Sequence, residues 1–303
     1  MKRVAKAESL PRRRGVRRAD RSAAALLLAP ALAGFAVFYV YPTIRGIYYS
    51  LTDFNLLNEP RFVGAENITT MLADPAVWSA LRVTAVFAVA NIVLGTFLAL
   101  VLAALMQRLR LRTWVRSVLL LPWLVPNVAI ALIWGWLLDS NLGYLKRLLD
   151  SIGLHGFTFY NPDAALPILV TISIWSGLGY TALLLYAGML QVPADLYEAG
   201  ALDGATESRM FFAITMPLVR PVVALVLVMS LIGSFQVFDL VQVGYGNNPL
   251  PEVRVIYYFI YQQAFSFFRM GYASAVSLLL VVILGVFTAV QMRLMRANRS
   301  DLA

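Results

Sequence analysis

The 303-residue chain contains no cysteine and a single histidine, His155. Thiol nucleophiles, disulfides and zinc sites built on cysteine or several histidines are therefore excluded. Asp53, Asp139, Asp163 and Asp239 are dispersed without a shared motif, so no paired-carboxylate or serine–histidine set is offered for hydrolysis. A P-loop needs a Gly-Lys pair, and none of Lys2, Lys6 and Lys146 follows a glycine. What remains are neutral polar and aromatic groups inside apolar stretches. Ser173, Trp175, Ser176, Gly177 and Tyr180 lie in one, and Ser230, Ser234, Phe235 and Gln236 in another. Such hydroxyls, amides and rings suit a neutral, hydroxyl-bearing solute, although Ser and Gly equally pack helices in membranes. Gly177 and Gly179 leave room for a ligand or a second helix. Asn91, Thr96 and Asn127 read as interhelical hydrogen-bonders, and Trp123, Trp134 and Trp136 as packing or interface residues, with Trp123 near any path.

A second constellation lies in residues 191–219. Pro193 stops the preceding apolar run, and Asp195 with Glu198 three residues on has the spacing of a capping box. Gly204 can end that helix in a left-handed turn. Thr206 can cap a second short helix, which Pro217 closes. The first helix carries Ala199, Gly200 and Ala201, small enough for another backbone to come close. It either docks in a groove of another subunit or is a solvated surface helix with ordinary caps.

The elements that carry these residues follow from composition. The chain is 60% hydrophobic and 14% charged, against roughly a quarter charged in soluble domains. Its mean hydropathy is +0.73. That apolar surface requires lipid as part of the solvent. Crossing the hydrocarbon takes about 20 mostly apolar residues, and six stretches qualify: 23–41, 83–106, 117–138, 164–190, 222–238 and 272–290. None contains an ionisable Asp, Glu, Lys, Arg or His. Six spans put both termini on one side. With the termini placed in the cytoplasm, 18 of the 25 basic residues face inward, nine of them ahead of the first run, as the positive-inside rule demands. The expected organisation is a basic cytoplasmic tail (1–22), a six-span domain (23–293) and a cytoplasmic C-terminal tail (294–303). The basic tail lacks interleaved aromatics, so anionic headgroups rather than nucleic acid are its expected partner. His155 falls in a solvated outer loop, and the Asn67-Ile68-Thr69 triplet matches a glycosylation pattern by chance.

Residues 197–221, reading YEAGALDGATESRMFFAITMPLVRP, resemble the EAA loop of binding-protein-dependent ABC permeases. Glu198-Ala199, Asp203-Gly204-Ala205, Phe211, Ile214, Pro217 and Pro221 carry the match. Gly200 departs from it, standing where the family usually has a second alanine. Arg61-Phe62-Val63-Gly64 with Glu66-Asn67, Leu121-Pro122-Trp123, the run Gly233-Ser234-Phe235-Gln236-Val237-Phe238-Asp239, and Gly271-Tyr272-Ala273-Ser274-Ala275 resemble the carbohydrate branch. Residues 244–251 are shorter than that branch's outer Gly-Gly-Pro-Gly loop.

The resemblance implies an all-α membrane protein with the type I ABC importer permease fold, in a bacterial inner membrane. It implies a second permease subunit, a cytoplasmic ATPase dimer that binds ATP and Mg, and an extracytoplasmic solute-binding protein. The chain itself is then not an enzyme and holds no cofactor. Glu198, Ala199, Gly200, Ala201, Asp203 and Gly204 become the ATPase-coupling residues. Trp175, Ser176, Gly177, Tyr180, Ser230, Ser234 and Gln236 become the substrate pathway, by their match to maltose-type permeases. An ion-coupled secondary transporter is the alternative, disfavoured because proton coupling usually leaves ionisable residues inside spans.

Overall fold

The computed structural model describes residues 18–246 and 249–297; the basic stretch 1–17 and the tail beyond 297 lie outside the described residues. The described chain is helical, its one β-bridge joining Thr52 and Phe62. The first span comprises α1 (Arg18–Phe35), a π turn (Ala36–Val40) and α2 (Tyr41–Ser50). Then come α3 (Glu66–Ala73), α4 (Pro75–Arg108), α5 (Thr113–Leu124), α6 (Asn127–Leu137), α7 (Tyr144–Ser151) and α8 (Pro162–Met189). After α9 (Ala194–Leu202) and α10 (Glu207–Met210), a π turn (Phe211–Thr215) leads into α11 (Met216–Phe235). The short helices α12 (Asp239–Tyr245) and α13 (Ile256–Tyr261) precede α14 (Met270–Ala297).

Five stretches are long and apolar enough to span a membrane, and α5 with α6 makes a sixth candidate bent by 90°. Two core clusters decide whether that bent pair crosses. In one, Phe87 of α4 meets Ala165, Ile168 and Ile172 of α8, and Ile130 and Ala131 of α6 join them. In the other, Ala99, Ala103 and Met106 of α4 meet Ala182, Leu185 and Met189 of α8, joined by Leu119 in the middle of α5 and Leu111 just before it. Helices α4 and α8 run antiparallel between these levels. The bent pair therefore begins at one level and finishes at the other, so the chain makes six traverses. Both described ends then lie at one end of the bundle, here the base; the opposite end is the distal end.

The third run was expected to be one continuous helix and is not. Pro126 offers no N–H, and its ring collides with the carbonyl four residues back, which belongs to Pro122. Val125, forced away from the α region by the following proline, sits at φ −80° and ψ 131°. Prolines act differently where a helix can widen. The first span was expected to end at 41 and Pro217 to close a helix, yet both helices continue. In each, the residue before the proline bonds five residues back, Tyr41 to Ala36 and Met216 to Phe211. A single π turn thus accommodates the ring without ending the helix.

The distal end is tied together by short polar contacts. Asn67 Nδ2 donates to the carbonyls of Ser50 (3.1 Å) and Thr52 (2.7 Å). Gly271 passes so close that a Cβ there would lie 2.0 Å from Thr52 O. Thr84 Oγ1 accepts from Ile256 N at 2.8 Å, satisfying a free N–H at the start of α13 from within α4. The opposite faces of the spans carry exposed Val89, Val93 and Phe97, as a lipid-facing surface should.

Candidate functional site

At the base, α9 stands between the fourth and fifth spans. Its end matches the glycine reading: Gly204 has φ +74°, Ala205 N bonds Gly200 O at 2.9 Å, and Gly204 N bonds Ala201 O at 3.1 Å. That pair of bonds is a Schellman motif, which a residue with a Cβ adopts only under strain. Thr206 Oγ1 then caps α10, accepting from Arg209 N at 3.3 Å. The expected capping box is absent. The helix starts two residues earlier than the motif requires, with Pro193 rather than Asp195 as N-cap, and Asp195 lies in the first turn without a capping bond. Its charge still suits the positive helix end.

The two faces of α9 differ. Glu198, Ala199, Ala201, Asp203 and Gly204 are exposed, and Leu202 is 90% exposed. Gly200 faces inward instead: a Cβ there would meet Met210 Sδ and Ile214 Cδ1, both at 3.3 Å. Its small size thus serves the chain's own packing. Tyr197 shares a 2.7 Å hydrogen bond with Thr215 in the π turn at the foot of α11. Beside it, a groove of about 600 Å³ opens between α4 and α10, with Arg108 and Glu207 paired at 3.1 Å. Both partners are about two-thirds exposed, so the pair adds little, about 0–1 kcal/mol.

The second region lies at the break in the third span. Pro122 to Asn127, Ile130 and Ser176 line a cavity of about 350 Å³. Unpaired backbone at membrane depth is tolerated where it is buried in protein or lines a wet cavity, and the break supplies such backbone. Trp123 stacks on Tyr180 with centroids 4.3 Å apart and planes 7° from parallel. Trp134 meets Trp175 edge-on at 5.5 Å. Ser176 Oγ donates to Ser173 O at 2.9 Å, which leaves its lone pairs free to accept. Gly177 has nothing within 4 Å of a built Cβ, whereas Gly179 is pressed onto α5, its Cβ position 1.8 Å from Leu119 O.

The candidates on α11 are less uniform. Gln236 is exposed and Ser230 half-buried. Ser234 is 2% exposed and accepts a 2.9 Å hydrogen bond from Asn91 Nδ2, joining the second and fifth spans. The structure thus gathers Trp175, Ser176 and Tyr180 beside the break and holds Ser234 inside a helix contact. Sequence reasoning missed the break with its exposed Asn127, and also Leu202 and the Tyr197–Thr215 link. Pro122 and Pro126, four apart in one apolar run, were the available signal for the first.

Known proteins share this fold. Residues 91–300 match the family model described as binding-protein-dependent transport system inner membrane component. The chain is 32% identical over 283 residues to the sulfoquinovosyl glycerol transport system permease protein SmoG of Agrobacterium fabrum, covering 92% of each chain. It is 30% identical to the trehalose/maltose transport system permease protein MalF of Thermococcus litoralis, covering 90% of this chain and 94% of that one. A permease chain in the crystal structure of a bacterial alginate ABC transporter, in complex with its alginate pentasaccharide-bound periplasmic protein, superposes with a TM-score of 0.79 at 22% identity. That likeness covers 92% of this chain and 96% of the other, and it establishes the fold as that of a type I importer permease. The chain belongs to the binding-protein-dependent transport system inner membrane components, the permease subunits of ATP-binding-cassette importers.

Proposed function

We propose that this permease forms half of the pathway of an ATP-driven importer for a neutral sugar or polyol. An extracytoplasmic binding protein delivers the solute, and α9 sits in a cleft of a separate ATPase subunit that binds the ATP and Mg. The observation that carries the coupling reading is the two-faced α9. One face is fixed to α10 and the foot of α11 through Gly200 and Tyr197, and the other presents Glu198, Ala201, Asp203 and Leu202 with no cover from the described residues.

The charge asymmetry supports a cytoplasmic base, which puts α9 on the side where ATP is available. The carbohydrate class is supported by relatives named for sulfoquinovosyl glycerol and trehalose/maltose transport. The cavity lined by Trp123, Asn127 and Ser176 supports it too, since no charged residue lines it and Tyr180 stacks on Trp123. The second permease is supported by the first span, exposed from Leu26 to Ile44 apart from Gly34. A heterodimer with a second permease subunit is the assembly that the family resemblance implies. Uptake of radiolabelled sugars by the reconstituted complex, with ion gradients collapsed and ATP supplied or withheld, tests this reading. Uptake that follows an ion gradient and ignores ATP would point to the secondary-transporter alternative.

A further inference from the structure

Between the third and fourth spans, at the distal end, lies α7. Its apolar residues Tyr144, Leu145, Leu148 and Leu149, with Ile152 just beyond, fall on one continuous arc of the helix; Lys146, Arg147, Asp150 and Ser151 fall opposite. Part of the arc is used, since Leu145 and Leu149 pack against the distal core. The rest is not. Tyr144, Leu148 and Ile152, spaced i, i+4 and i+8, are 71%, 53% and 67% exposed. The polar arc is satisfied on its own: Lys146 pairs with Asp150, and Arg147 Nη2 donates to Leu142 O at 3.0 Å.

The flanking chain shows what covers the free stripe. Residues 138–143 separate α7 from α6, where Leu132, Ile133 and Trp136 are all exposed on a membrane-spanning helix. On the other side Tyr160, also exposed, lies two residues before the start of α8. Trp136 and Tyr160 therefore bracket α7 at the ends of two spans, the depth at which aromatic belts sit.

We propose that α7 is an interfacial helix lying in the membrane plane. Tyr144, Leu148 and Ile152 are sunk into the acyl–glycerol boundary of the distal leaflet, Arg147 faces headgroups and water, and the Lys146–Asp150 pair turns toward the protein, with the Lys146 side chain only 12% exposed. The occupant of the stripe is phospholipid. This inference rests on the chain's being a membrane-spanning permease and is independent of its substrate and of the role of α9.

The absence of cysteine makes the test direct. Single cysteines at Arg147, Leu148 and Ile152, in the full transporter with its partner subunits freed of cysteine, are labelled with a nitroxide in phospholipid nanodiscs. Collisions with oxygen, which partitions into the bilayer, are compared with collisions with a water-soluble nickel chelate. The expected result is a several-fold higher oxygen-to-nickel ratio at 148 and 152 than at 147, unchanged when binding protein is added. Should one substitution disturb folding, the other site carries the comparison. Free access of nickel to 148 and 152 would place the stripe in water and overturn the proposal. Shielding from both reagents would assign it to a protein partner, and loss of oxygen access on adding binding protein would make it that protein's docking surface.

Discussion

Tyr197 on α9 and Thr215 at the foot of α11 share a 2.7 Å hydrogen bond across eighteen residues of sequence. Between them run the Schellman turn at Gly204 and the cap at Thr206, so α9 is fixed to the fifth span at both ends of the loop. In the coupling proposed above, this bond is the route by which a push on the exposed face of α9 would reach α11. Replacing Tyr197 by Phe removes the bond but keeps the ring, a loss of about 0.5–1.5 kcal/mol. The expected outcome is looser coupling: fewer solute molecules moved per ATP hydrolysed, with ATPase activity and assembly retained. Measuring both rates on one reconstituted preparation checks this, and an unchanged ratio would assign the bond a purely structural role.

Leu202 gives a prediction that separates folding from docking. Because its side chain is 90% exposed, Leu202→Asp leaves the permease itself folded and inserted. Association with the ATPase subunit is expected to fall at least tenfold, which corresponds to about 1.4 kcal/mol. Co-purification of the ATPase with the tagged permease reads the effect.

Two glycines of the fourth span should part company. A methyl at Gly179 would sit 1.8 Å from a backbone carbonyl of α5, and no side-chain rotation relieves a backbone clash. Gly179→Ala is expected to destabilise by about 1–3 kcal/mol or more and to lower the thermal stability of the purified complex. Gly177→Ala meets open space and should leave that stability unchanged, so any loss of uptake it causes reports on the pathway.

Ser234 and Asn91 should behave as a pair. If their 2.9 Å bond is what Ser234 provides, Ser234→Ala and Asn91→Ala cost similar stability, and the double variant costs less than the sum. The expected coupling is about 0.6 kcal/mol, the average for hydrogen bonds between membrane helices. The solute KM stays unchanged in all three. A KM shift in Ser234→Ala alone would return Ser234 to the solute path.

Much of this architecture could be read from the chain because lipid imposes a simple rule. A run of about 20 apolar residues without charge has few alternatives to spanning, so five of the six runs appear as continuous helices and the sixth as a bent one. Gly204 was legible because a left-handed turn selects glycine. Prolines were not read correctly, since one residue type has two outcomes. Pro126 breaks the third span, while Pro42 and Pro217 ride on π turns, and only the packing around each decides. Gly200 carries a related ambiguity: small size does not say which neighbour needs the space, and within this chain Met210 and Ile214 come closest. The stacking of Trp123 on Tyr180 joins residues far apart in sequence and carried no local signal.

The central claim is that α9 is the element through which an ATPase drives this permease, and the cysteine-free chain allows it to be tested at one atom. Ala201 is exposed on the outward face of α9, one residue from Leu202. The variant Ala201→Cys is assembled with its ATPase carrying a single cysteine in the predicted cleft, and disulfide cross-linking is scored with and without ATP. A strong cross-link whose yield changes with nucleotide is the predicted result. A properly inserted complex that gives no cross-link at Ala201 or at Ala199, in either nucleotide state, would contradict it.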